Sequence, residues 1–426
     1  MKKLNFIVLL QLFFLSNSAF AQDFWELLPF PDSLDITCMA VNQQGDIFVG
    51  TNTNTAYDGV FRSQDQGQTW ELVLDMGLYG PSSLAINENG EIFVLGAWTG
   101  WYLTKSTDNG QTWNSLSIPD YGGNVKIVAE GNDILFVSQW AANGALLLKS
   151  ENGGLDWEVV FTTENHTSEY IHDIAFAPDG NIYISLNCFF PDMGGVYKST
   201  NGGETWEFIG LLNHQVKEVE VNAQGDLFIG VYSDFIGGEG IGIYALYHDS
   251  PQLIECLYGP SVNGLAINSV GDIYAGTGFP DGVMVSKDNG SSFFFKNNGL
   301  PYFPIGIIEK DSKNFIYALL DGPSNHLYRT IASTVGITHT HNYMEHHIIV
   351  NTNPVPEMLQ GRIGEKIPNG IYIYTISDIS GRRIVSDELS LLQNAFIIDV
   401  SFLPAGYYTL SIQYNEIKYT AKIIKG

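Results

Sequence analysis

Five short segments of this chain repeat one turn pattern, Ser-x-Asp/Asn-x-Gly-x-x-Trp/Phe. They are SQDQGQTW (Ser63, Asp65, Gly67, Trp70), STDNGQTW (Ser106, Asp108, Gly110, Trp113), SENGGLDW (Ser150, Asn152, Gly154, Trp157), STNGGETW (Ser199, Asn201, Gly203, Trp206) and SKDNGSSF (Ser286, Asp288, Gly290, Phe293). Their closing aromatics stand 43, 44, 49 and 87 residues apart, the last being two periods with one copy worn away. A fixed period of this length means one supersecondary unit copied around a ring or along a stack.

The repeat extends beyond the turn. Upstream of each copy lie a strand, a polar turn and a second strand, as in MAVNQQGDIFVGT (39–51), LAINENGEIFVLG (84–96), IAFAPDGNIYISL (174–186), VEVNAQGDLFIGV (219–231) and LAINSVGDIYAGT (265–277). Divergent copies at 127–137 and 307–319 bring the number of units to seven. The turn glycines are Gly45, Gly90, Gly131, Gly180, Gly225 and Gly271, with Lys313 expected at that position in the last copy. Apolar runs rich in Val, Ile, Phe and Tyr, punctuated by Gly, Asn and Asp, read as strands joined by hairpins. Two strands before the repeated turn, one leading into it and one after it make four per unit. Seven such units predict an all-β, seven-bladed β-propeller over residues 22–332.

The last unit lacks the repeated turn and the strand that follows it. The missing strand is found at the other end, where FWELLPFPDS (24–33) is similar to WELVLDMGL (70–78) and WEFIGLLNH (206–214). The N-terminal segment is therefore expected to complete the seventh blade and close a ring, which removes exposed sheet edges. Residues 333–348 carry no repeat and read as a linker. Alternating strands from 349 to 426 predict a small β-sandwich.

Residues 1–21 read as an export signal. Lys2 and Lys3 precede an apolar run from Phe6 to Leu15, and Ala19-Phe20-Ala21 supplies a small-x-small cleavage site. No other stretch is apolar enough for a spanning helix, so no transmembrane segment is expected. The three cysteines, Cys38, Cys188 and Cys256, are far apart and odd in number, and read as small buried apolar residues. Residues 22–335 hold 11 Lys/Arg against 38 Asp/Glu. A body this acidic repels phosphate backbones, which argues against a nucleic-acid partner.

The five repeated segments resemble Asp-boxes, the bacterial neuraminidase repeats of sialidases, xyloglucan-type endoglucanases, sortilin-like receptors and a photosystem assembly factor. The resemblance implies a propeller in which the box is a structural turn. The Ser and Asp/Asn side chains would bond turn amides, Gly would supply positive φ, and the aromatic would pack between blades. The C-terminal residues resemble a type A sorting domain of the Bacteroidetes type IX secretion system. The matching pieces are NPVPEML (353–359), YTISDISGRRIV (374–385), IDVSFLPAGYYTLSI (398–412) and the basic end KYTAKIIKG (418–426). VNTNP stands where the usual form is YPNP. That resemblance implies export to the cell surface or medium with the secretion machinery as partner, and no chemistry beyond about residue 345.

Sialidase activity is disfavoured. Three arginines grip the substrate carboxylate in that family, whereas the propeller region holds only Arg62 and Arg329. A glycoside hydrolase needs two facing carboxylates. Asp192 and Asp281, in loops between second and third strands, are the candidates, but such enzymes carry two tandem propellers and this chain shows one. A binding role rests on geometry. In a four-stranded meander the first and third turns share one face, so the boxes serve construction there. The opposite face receives the loops that hold Trp98, Trp101, Trp140, Phe189, Phe190, Phe235 and Phe279, with Asp192, Asp234 and Asp281 nearby. Exposed aromatics with a few polar groups suit sugar rings or extended peptides. His339, His341, His346 and His347 lie in the linker without carboxylate or thiol companions, so no metal site and no cofactor are expected. The expectation is a secreted or surface-held binding or scaffold module for carbohydrate or protein. A polysaccharide-degrading hydrolase is the alternative.

Overall fold

The computed structural model describes residues 23–425 apart from 32–33, 53–57, 78–79, 97–102, 143, 164–168, 189–192, 235–240, 251, 279–281, 302, 322–325, 336–347, 351–354, 356, 364–369, 379–381, 392–394 and 415–416. The described residues form strands and turns, with no helix. The chain divides into two compact units, 1–337 and 338–426.

The first unit consists of seven four-stranded antiparallel sheets. In the first blade Ile36–Val41, Ile47–Thr51, Asp58–Ser63 and Glu71–Gly77 pair in chain order. The first strands of the later blades are Pro81–Ile86, Gly122–Glu130, Glu169–Phe176, His214–Val221, Val262–Ile267 and Ile305–Lys310. Each first strand meets the first strand of the next blade, and the seventh meets the first, so these strands are innermost around a ring.

Ring closure is made by the N-terminal segment. Trp25–Leu27 pairs antiparallel with Leu327–Thr330 as the outer strand of the seventh blade. The indole of Trp25 is almost fully buried and donates from Nε1 to Lys296 O in the sixth blade at 2.5 Å. Trp113, Trp157 and Trp206 donate in the same way to Val73 O, Ser117 O and Val160 O of their preceding blades. Trp25 thus performs the work of a box tryptophan in the one blade whose outer strand comes from the far end of the chain.

One aromatic recurs at the start of every second strand: Phe48, Phe93, Phe136, Tyr183, Phe228, Tyr274 and Tyr317, each no more than 4% exposed. Burying a ring of this size contributes about 2–3 kcal/mol, and seven of them fill the spaces between blades. In five blades the turn after the first strand is held by the side chain of its leading Asx residue, Asn42, Asn87, Asn222, Asn268 or Asp311. Asn42 Oδ1 accepts from the amides of Gly45 and Asp46 at 2.9 and 2.8 Å, and Asp311 Oδ1 accepts from Lys313 and Phe315 at 2.9 and 2.8 Å. Positive φ in the last turn falls on Asn314 (63°) rather than on Lys313, which corrects the expectation from sequence. Asparagine tolerates that conformation better than lysine, so it takes the glycine's place.

The second unit holds a three-stranded sheet of Ile348–Val350, Met358–Ile363 and Ala395–Asp399. Its four-stranded sheet is ordered Arg383–Leu391, Gly370–Asp378, Gly406–Tyr414 and Ile417–Lys425. Between them Leu359, Ile376, Leu391, Val400, Leu410 and Ile412 form a core that is at most 1% exposed. Cys38 is buried and Cys256 half-buried, both unbridged, while the side chain of Cys188 lies outside the described residues. His339, His341, His346 and His347 also lie outside them.

Candidate ligand-binding face and central channel

The five repeated turns share one set of bonds. The buried serine hydroxyl accepts from the glycine amide at 2.7–2.9 Å. It also donates to Oδ1 of the Asp or Asn two residues on, at 2.9–3.0 Å. That oxygen accepts from the amide four residues along, at 2.8–2.9 Å. Two successive residues take positive φ in every copy, as at Asn109 (59°) and Gly110 (83°). Hydrogen bonds from Thr69 and Thr112 hold the Asp65 and Asp108 carboxyls down to about 2.

These turns are also stitched to the neighbouring blade. Asn42 donates to Asn109 Oδ1 at 2.9 Å while Asn109 donates to Asp46 Oδ2 at 2.6 Å. Asn222, Asn289 and Asp226 repeat the arrangement between the fifth and sixth blades. Arg62 is engaged by Glu71 and Asn109 O, and Arg329 by Glu26 and Gln66. Both arginines serve as fasteners on this face.

The opposite face bears the loops. Of the aromatics expected there, Trp140 is described and half exposed. Trp98, Trp101, Phe189, Phe190, Phe235 and Phe279, and the carboxylates Asp192 and Asp281, lie outside the described residues. Asp234 ends a described strand, and its side chain is not described. Four further aromatics on this face escaped sequence reasoning, two near strand ends (Tyr232 and Tyr258) and two in the connections that lead into innermost strands (Tyr121 and Phe303), 38–49% exposed. Lys217 Nζ stands 4.0 Å from the centre of the Tyr232 ring. Nearby, Asn187 Nδ2 donates to Tyr170 Oη at 2.9 Å.

A second feature was also missed. Every innermost strand carries a one-residue register irregularity near its loop-face end, between Ile36/Cys38, Pro81/Ser83, Asn124/Lys126, Ile171/Asp173, Val216/Glu218, Val262/Gly264 and Ile305/Ile307. A bulge re-aims the extra residue and leaves it outside the ladder. In four blades the extra residue reaches for the next blade: Thr37 donates to Pro81 O at 2.8 Å and Asn263 to Ile305 O at 2.9 Å. His172 Nδ1 donates to Lys217 O at 2.8 Å, and Lys217 Nζ to Asn263 Oδ1 at 3.3 Å. Burial, then the Lys126 and Lys217 charges, push the His172 imidazole down to about 4, so it is neutral at ordinary pH.

Just past the bulge, Lys126, Asp173 and Glu218 occupy the same register position in the third, fourth and fifth blades. Two residues further along, Glu220 and Glu309 occupy equivalent positions where the first, second, fourth and sixth blades have Ala40, Ala85, Ala175 and Ala266. Lys126 Nζ pairs with Asp173 Oδ1 at 3.0 Å. Burial would depress this ammonium, but the Asp173, Glu218 and Glu309 charges outweigh it and hold its pKa high. Burial and the neighbouring carboxylates push Glu218 well above the usual range, and burial raises Glu220 and Glu309 to about 7. No group of three or more His, Cys, Asp or Glu side chains among the described residues is arranged to hold a metal ion.

Comparison with known proteins separates the two units. Residues 353–426 match the secretion system C-terminal sorting domain. Xyloglucanase Xgh74A of Acetivibrio thermocellus is 27% identical over 236 residues, covering 43% of this chain and 27% of that protein. The chain therefore spans little more than a quarter of that relative's length. Among solved structures, YCF48 bound to D1 peptide has 18% identity and a TM-score of 0.56, over 74% of this chain and 99% of that one. The GH74 enzyme of Niastella koreensis has 14% identity and a TM-score of 0.56, over 94% of this chain and 74% of that one. Likeness at these identities establishes the β-propeller fold. The molecule is a β-propeller protein that ends in a sorting domain. That domain makes it cargo of the type IX secretion system, delivered to the cell surface or released.

Proposed function

We propose that the propeller is a binding module which holds a carbohydrate or protein ligand on its loop face. The observation that carries this reading is the set of exposed aromatics Tyr121, Trp140, Tyr232, Tyr258 and Phe303, at strand ends or in adjoining connections on the face free of repeated turns. Rings 38–50% exposed offer flat apolar contact, and the His172, Lys217 and Asn263 side chains add polar groups at the channel mouth. Trp98, Trp101, Phe189, Phe190, Phe235 and Phe279, expected from sequence on this face, would enlarge the surface. The likeness to YCF48, a propeller solved with D1 peptide bound, supports a protein ligand. The sequence likeness to a xyloglucanase supports a glycan.

A glycan array and a peptide array probed with the full chain separate the two ligand classes. Binding to either, weakened by Trp140→Ala, is the expected result. Silence on both arrays would sink the reading.

The likeness to the xyloglucanase also supports a second reading, a polysaccharide-degrading hydrolase with Asp192 and Asp281 as acid and base. Release of reducing sugar from xyloglucan, abolished by Asp192→Asn and by Asp281→Asn, would establish it. Turnover that survives both changes would exclude these two residues.

A further inference from the structure

We infer that the central channel is a proton-operated device, in which Glu220 and Glu309, together with Glu218, bind protons as the medium acidifies and thereby relieve the repulsion among the innermost strands around the Lys126–Asp173 pair. The inference starts from placement. Asp173, Glu218, Glu220 and Glu309 project from the innermost strands of the fourth, fifth and seventh blades around an ammonium supplied by the third. Lys126 pairs with Asp173 at 3.0 Å, and the other Asp173 oxygen accepts from Val219 N at 3.1 Å. Among the described residues, Glu218 and Glu220 have no hydrogen-bond donor, and Glu309 leans on the backbone amide of Lys310. Lys126, which a fourth carboxylate already engages, thus serves three glutamates, with Lys310 as the other positive charge near Glu220 and Glu309. Carboxylates held together without donors repel one another and lose hydration, and a proton relieves both costs.

Of the other described groups facing the cluster, only Lys310 adds positive charge to Glu220 and Glu309. His172 is neutral, Lys217 is drawn to Asn263 and the Tyr232 ring, and the Cys38 thiol is pushed up to about 12 by burial. Lys310 moderates Glu220 and Glu309 from an exposed position, and Asp321 adds a further negative charge near Lys217. About a third of the Lys126 side chain meets the channel's water (32% exposed), which gives protons a route in.

The sign follows from proton linkage. Glu220 and Glu309 have folded values of about 7, above the ordinary glutamate value. The folded state therefore binds more protons than the unfolded state between about pH 4.5 and about pH 7. Stability contributed by this cluster is complete below that window and is lost as pH rises through about 7.

The experiment compares thermal midpoints of the full chain at about pH 5 and about pH 8. The wild type is expected to melt higher at the acidic value. Glu220→Gln/Glu309→Gln should melt higher than wild type at the alkaline value and lose most of the pH slope. The exposed pair Asp120→Asn/Glu204→Gln removes the same charge and should keep the slope, which separates the channel from the general acidity of the surface. A channel variant with the wild-type slope, or a control that flattens it equally, overturns the inference. Infrared spectra of the wild type offer a readout without mutation. A protonated-carboxyl band persisting at about pH 6 is expected, and its absence there also overturns the inference.

Discussion

The two faces of the propeller are built from the same four-stranded unit, repeated seven times, and put it to opposite uses. On the turn face the serine, Asp and Asn side chains of the repeated turns close on their own amides and on the neighbouring blade. On the loop face and in the channel, tyrosine and tryptophan rings stand partly exposed, and Glu218 and Glu220 have no hydrogen-bond donor among the described residues. Hydrogen-bonded turns give rigidity, whereas exposed rings and crowded carboxylates offer contact area to a ligand and a place for a proton. The lesson is that a repeated motif marks construction, and function is sought where the repeats differ.

The sharpest way to break this comparison is at the closure. Trp25→Ala removes a buried indole and its bond to Lys296 O. It is expected to cost about 3–5 kcal/mol in denaturant unfolding, because the seventh blade then loses its outer strand's anchor. An unchanged midpoint would show that the ring does not depend on that strand.

Next in size comes a turn. Ser106→Ala leaves the Gly110 amide and the Asp108 carboxylate without their shared hydroxyl. A loss of about 1–3 kcal/mol in the same assay is expected, with ligand binding unchanged. A binding defect larger than the stability defect would mean that the turn face touches ligand.

The mirror experiment is Trp140→Ala. Stability should move by less than about 0.5 kcal/mol, since the ring is half exposed. Affinity should fall about tenfold, the scale of an aromatic anchor, as read by titration of a ligand found on the arrays. The reverse pattern, a stability loss with binding intact, would reassign Trp140 to packing.

The smallest effect concerns acid. Asp65 and Asp108 titrate at about 2 in the folded state, below the ordinary carboxylate value. Their contribution is therefore complete above about pH 4 and fades as pH falls through about 2, the opposite sense to the channel glutamates. Thermal scans in that range should show a shallower acid slope for Asp65→Asn/Asp108→Asn than for wild type. Equal slopes would deny the two turns any role in acid stability.

Much of this architecture is legible in the chain because propeller blades are local. Each strand pairs with its sequence neighbour, so the periodic apolar runs and the box spacing suffice to count the blades. Even the long-range closure leaves a trace, since FWELL (24–28) keeps the Trp-Glu-Leu signature of an outer strand. Two matters were not legible. The turn residue with positive φ in the last blade is Asn314, one position beyond Lys313, because the hydrogen bonds of Asp311 set its register to match that of Gly45, which a turn without glycine does not reveal in sequence. The channel charges were hidden in strands that look merely amphipathic, GNVKIVAE (123–130), YIHDIAF (170–176) and HQVKEVEV (214–221). Only the bulge sets which of their side chains leaves the ladder.

The sequence alone determined the unit, its number and the position of the repeated turns, since these depend on contacts between residues close in the chain. The sorting domain was also legible there, being carried by short motifs in fixed order. Tertiary structure decided what the centre of the ring contains. Lys126, Asp173, Glu218 and Glu309 are up to 183 positions apart in the chain. They meet because seven twisted sheets close on one axis and bring equivalent register positions together. Proximity of that kind is a property of the closed ring and of no single repeat.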